Sequence, residues 1–117
     1  MLIRLDPASA EPLFAQLAGA VRGAIARGEL AAGERLPSAR ELAESLGLNV
    51  HTVLHGYQLL RDEGLVELRR GRGAVVTDAG ASGLARLREA VTGVIAEAHR
   101  LGLSADELTA LIRREYS

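Results

Sequence analysis

Leu13, Leu17, Val21 and Ile25 recur every four residues, with Phe14 and Ala18 widening the stripe. That spacing predicts an amphipathic helix with one buried face. Pro12 suits its first turn and Gly28 its end. Glycines then punctuate GELAAGERLP, where a short strand is expected at residues 34–36. Within RLPSARELAESLGLNVHTV, residues 35–53, Ser38 is followed three residues later by Glu41, a capping-box arrangement. Leu42, Ala43 and Leu46 form the inner face of a second helix, and Gly47 supplies its left-handed cap. Asn49 can cap a third helix with Val53, Gly56, Tyr57 and Leu60 inward, closing at Gly64. LVELRRGRGAVVT, residues 65–77, reads as two short strands around an Arg/Gly turn.

Residues 78–83, DAGASG, read as a linker. Beyond it, Leu84, Leu87, Val91, Val94, Ala98 and Leu101 alternate spacings of three and four. This heptad seam suits a helix pairing with a partner helix. Gly102 ends that helix, and Ser104 with Glu107 opens another whose inward positions are Leu108, Leu111 and Ile112. The expected fold class is therefore mainly α with a small β-hairpin. A winged helix-turn-helix occupies residues 1–77 and a two-helix dimerisation segment residues 84–117, the linker lying between them. In this architecture the turn at Gly47 sets the third helix across the second, so its outer face can enter a major groove.

Composition adjusts this picture in three places. Without cysteine there is no thiolate metal site, disulfide or thiol nucleophile. The amino terminus lacks the apolar run of a signal peptide, and no stretch approaches the ~20 apolar residues of a membrane span. A cytoplasmic location without a membrane partner is expected. Net charge is −1, which argues mildly against nucleic acid, yet all 14 basic residues are arginine. Arginine presents a planar fork suited to phosphate and guanine edges.

PLFAQL at 12–17, GEL..GERLPSARELA at 28–43, G.N..TV...Y..L...GL at 47–65 and GRGAVV at 71–76 together resemble the GntR family of bacterial transcription regulators. The IRLDP.S..PL opening and the short tail are similar to its YtrA-type subfamily. The resemblance implies DNA contact by Arg40 from the start of the second helix. It gives Ser38 a double role as cap and phosphate neighbour, makes Thr52 a backbone contact, and puts Arg70 and Gly71 at the wing tip. It also implies dimers on two-fold DNA sites. Three positions depart from the family pattern. Val50 and Leu54 stand where many relatives carry arginine, so thymine methyls are their expected targets. Gly56 replaces a commoner alanine, at a cost of about 0.5–1 kcal/mol within a helix.

Expected DNA contacts are therefore Arg35, Ser38, Arg40, Asn49, Val50, His51, Thr52, Leu54 and His55, with Arg69, Arg70, Gly71, Arg72 and Gly73 in the wing. His51 and His55 share a helix face, but no third ligand lies nearby, so no metal and no cofactor is expected. Protonated imidazoles facing phosphate would strengthen binding as pH falls. The chain reads as a non-enzymatic, homodimeric repressor of double-stranded DNA with a palindromic operator. A winged-helix protein-interaction module is the alternative, and a small-molecule effector stays open.

Overall fold

The computed structural model describes residues 3–117. Its elements are α1 (Leu13–Ala26), α2 (Ala39–Leu46), α3 (Val50–Asp62), β1 (Val66–Arg69), β2 (Gly73–Val76), α4 (Asp78–Arg100) and α5 (Ala105–Glu115). The chain forms two compact units, the first running to Ala85 and the second comprising Arg86–Ser117.

In the first unit α1 and α2 both pack on α3. The stripe from α1 (Leu17, Ala18, Val21, Ile25) meets Leu42 and Ala43 of α2 and Val53, Tyr57 and Leu60 of α3, all buried. Each large aliphatic among them contributes about 1.5–3 kcal/mol by leaving water. At Gly56, α1 and α3 approach closely. A Cβ there would lie 3.1 Å from both the Phe14 carbonyl oxygen and Leu17 Cδ2, so backbone proximity, not helix propensity, explains the glycine.

Ser38 and Asn49 cap their helices as expected, although at Ser38 only half of the expected capping box forms. Ser38 Oγ accepts from the Glu41 N–H at 3.1 Å, and Asn49 Oδ1 from the His51 N–H at 2.8 Å. Gly47, at φ 68° and ψ 35°, closes α2 in the left-handed conformation and turns the chain into α3.

β1 and β2 pair antiparallel with Val66 opposite Val76 and Arg69 opposite Gly73. Gly71 and Gly73 both take positive φ, which lets the hairpin turn within Arg70–Arg72. The expected strand at 34–36 is a single bridge, Arg35 to Val75. It is flanked by bonds from the Leu36 N–H to the Ala74 carbonyl and from the Val76 N–H to the Glu34 carbonyl. This bridge ties the entrance of α2 to the hairpin.

The linker expected at residues 78–83 is instead the start of α4. Thr77 Oγ1 accepts from the Gly80 N–H at 3.0 Å, capping the helix, and Asp78 complements the positive end of its dipole. Gly80 is buried, and a Cβ there would lie 2.8 Å from Leu65 Cα. Its glycine serves close packing. Ala81 and Leu84, both half-buried, also pack on the first unit's core, which draws Leu84 partly out of the expected seam.

In the second unit, α4 is followed by Gly102 at φ 73°, and α5 opens with a complete capping box. Ser104 Oγ accepts from the Glu107 N–H, while the Glu107 carboxylate accepts from the Ser104 N–H. Those two bonds hold the exposed Glu107 carboxyl below its usual range. Ala98 is 4% exposed, closed over within the chain and so removed from the seam as well. Leu111 and Ile112, expected inward, are both exposed. No described helix is long and apolar enough to cross a membrane.

Candidate nucleic-acid interface

Ser38, at the head of α2, stands where two grooves meet. One groove is lined by Ser38, Ala39, Leu54, Gln58, Leu68, Arg69 and Arg70, between α3 and the hairpin. The other is lined by Arg35, Ser38, Glu41, Gly71 and Arg72, between α2 and the hairpin tip. The fold thus gathers residues from positions 35, 38, 54 and 69–73 onto one side of the first unit. The bridge at Arg35 and the left-handed turn at Gly47 bring them there.

The guanidinium groups differ in freedom. Arg69 donates to the Glu67 carboxylate, at 2.9 Å from Nε and 2.8 Å from Nη2. Arg35, Arg40, Arg70 and Arg72 make no ion pair among the described residues. The Arg40–Glu44 pair that helix spacing allows does not form among them. Arg40 is exposed in the first turn of α2, beside the cap.

On α3 the expected contacts separate. His51 and Leu54 face outward, and Thr52 is half-buried. Asn49 has its side chain engaged in capping. Val50 is half-buried, with part of its side chain packed on the core. His55 stacks on Phe14 of α1, ring centroids 3.6 Å apart and planes 14° from parallel, so its ring is directed to α1 and away from the groove that Leu54 lines. Among the described residues no group of three or more His, Asp or Glu side chains is arranged to hold a metal ion.

Two lining residues escape sequence reasoning. Gln58 lies four residues after Leu54, one helical turn along the same face. Leu68, 39% exposed, shares a strand face with buried Val66, so alternation along β1 places it inward and the structure does not. Neither carries charge, so neither stands out among the arginines.

Tyr57 fixes the geometry from behind. Its buried hydroxyl donates to the Pro37 carbonyl at 2.7 Å, joining α3 to the residue before the Ser38 cap. Burial, reinforced by the nearby Glu41 carboxylate, pushes this phenol well above its ordinary range.

Comparison with known proteins matches residues 13–76 to the bacterial regulatory proteins of the gntR family. The HTH-type transcriptional repressor YtrA of Bacillus subtilis is 30% identical over 112 residues, 92% of this chain and 86% of that protein. Among solved structures, YtrA from Sulfolobus acidocaldarius, a GntR-family transcription factor, is 35% identical with a TM-score of 0.61, covering 96% of this chain and 94% of that one. The DNA-binding domain of AraR in complex with operator ORX1 is 25% identical, with a TM-score of 0.57 over 63% of this chain and 92% of that one. The family match spans α1 through β2, the elements that build both grooves. The chain is therefore a winged helix-turn-helix transcription regulator, not an enzyme, and belongs to the GntR family.

Proposed function

We propose that the protein is a homodimeric repressor that binds a palindromic operator in double-stranded DNA. α3 enters the major groove through His51 and Leu54. Arg40 and Ser38 meet the backbone beside it, and Arg70 and Arg72 reach the adjacent minor groove or its phosphates. The observation that carries this reading is the gathering of α2's head, α3's outer face and the hairpin tip around Ser38, with Arg35, Arg40, Arg70 and Arg72 outside any ion pair among the described residues. The operator-bound AraR domain supports the DNA partner, and YtrA's action as a repressor supports the sign of regulation.

Dimerisation rests on the second unit. Leu87, Val91, Val94 and Ile95 on α4, with Leu111 and Ile112 on α5, are large apolar side chains left exposed in a unit of 32 residues. An apolar patch of that kind calls for a partner surface, and a second copy supplies a matching one by symmetry. Two linked reading heads then bind far more tightly than one, because the second contact becomes intramolecular.

Selection of bound sequences from random double-stranded DNA by the full-length protein, at one stated salt concentration, tests the reading. A two-fold palindrome is expected. Folded protein that enriches no motif would move the weight to the protein-interaction module.

A further inference from the structure

Gln58 is the side chain on α3 whose chemistry the winged-helix reading leaves unused. It is exposed and makes no hydrogen bond among the described residues. Gln16, by contrast, spends its amide on Asp6 and Glu11. At 3.6 residues per turn, His51, Leu54 and Gln58 fall within an arc of about 60° and span roughly 10 Å along the axis. That length corresponds to about three base pairs at ~3.4 Å each.

Several other polar groups on α3 and at its head are engaged elsewhere. Asn49 caps the helix, His55 stacks on Phe14, and Arg61 pairs with Asp62. Gln58 is therefore the one planar donor–acceptor fork left on the outward arc among the described residues. Resting on the DNA-binding reading above, we propose that Gln58 is a base-reading residue that selects adenine at one position of each operator half-site.

The chemistry is that of a carboxamide matched to an adenine edge. The amide N–H donates to N7 while the amide oxygen accepts from the N6 amino group, a pairing no other base offers in that order. The surroundings sharpen the discrimination. Leu54 and Leu68, 40% and 39% exposed, line the same groove as Gln58. A duplex docked against them excludes water from the amide. A wrong base then leaves a desolvated fork unpaired, which costs far more than losing a bond that water could replace.

The test compares random-DNA selection by full-length wild type and Gln58→Ala. The variant keeps the fold because the side chain is exposed and alanine favours the helix. Wild type is expected to prefer adenine at one position per half-site by about 5- to 150-fold, and the variant to lose that preference while retaining the rest of the motif. Replacing that adenine by 7-deazaadenine, which lacks N7, should weaken wild type and leave Gln58→Ala unchanged. An unaltered motif in the variant would overturn the proposal, as would a uniform loss of affinity across all sequences, the mark of a phosphate contact. Either result leaves the regulator reading standing. Absence of any motif with folded wild type would remove both together.

Discussion

The Tyr57 hydroxyl donates to the Pro37 carbonyl at 2.7 Å, binding the middle of α3 to the residue that precedes the α2 cap. Pro37 has no N–H to offer, and its carbonyl accepts this bond from the side chain. Through this one bond the angle between the two helices of the helix-turn-helix depends on a buried side chain. Tyr57 is thus a positioning residue for Ser38 and Arg40.

Tyr57→Phe is expected to lower stability by about 1 kcal/mol, the net worth of such a bond. A shift in the urea midpoint with unchanged slope would report it. The same bond gives an alkaline signature. In the unfolded chain the phenol ionises near pH 10, whereas in the folded chain burial holds its proton to higher pH. Its stabilisation is therefore fully present below about pH 10 and is lost as pH rises through the folded value. Wild type should lose stability above about pH 10 more steeply than Tyr57→Phe, in urea titrations at stepped pH.

Two glycines of α4 should respond with opposite sign. Gly80→Ala places a Cβ 2.8 Å from Leu65 Cα, a backbone atom that cannot turn aside, and about 1–3 kcal/mol of destabilisation is expected. Gly83→Ala meets nothing within 4 Å and should stabilise by about 0.5–1 kcal/mol through helix propensity. Thermal unfolding of the two variants separates packing from propensity within one helix.

Glu67 holds Arg69 in an exposed ion pair on the hairpin. Glu67→Gln removes a negative charge from the wing and frees that guanidinium. Operator affinity should rise, and the salt slope should steepen by up to ~0.9 for each phosphate newly engaged. The stability change should stay under about 1 kcal/mol. Fluorescence anisotropy at several salt concentrations measures the first two, and thermal unfolding the third.

Val91 lies within the exposed apolar stripe of the second unit. Val91→Asp is expected to yield monomers by light scattering and to weaken operator binding at least tenfold, with the first unit still folded. A truncation that asks whether the first unit binds alone should end after Ala85. Ending at Asp78 would remove Gly80, Ala81 and Leu84 from the core and confuse unfolding with failure to dimerise.

Legibility from sequence follows local physics. Helix caps at Ser38, Asn49 and Ser104, the positive-φ glycines and the inward set Val53, Gly56, Tyr57 and Leu60 are all readable, because each depends on neighbours within a few residues. The failures come from tertiary contact. DAGASG carries the composition of a linker, yet Thr77 caps it and Leu65 requires its first glycine to be small, so it folds as helix. Val50 and His55 share α3's first turns with His51, but periodicity does not reveal that Val50 packs partly on the core or that the exposed His55 stacks on Phe14. Leu84 and Ala98 fit the heptad but are covered, Leu84 in part, from within the chain. Gln58 does not stand out in the sequence because its role depends on the hairpin lying opposite, which periodicity along α3 does not reveal.

The most direct measurement is the salt dependence of operator binding by wild type and by a variant carrying Arg40→Ala, Arg70→Ala and Arg72→Ala. These arginines are exposed and make no ion pair among the described residues, so their removal should leave the fold intact. A lower affinity is predicted, with a log–log slope shallower by ~0.9 for each phosphate that the variant no longer neutralises. Equal affinity and equal slope in the two proteins would contradict DNA binding through this face.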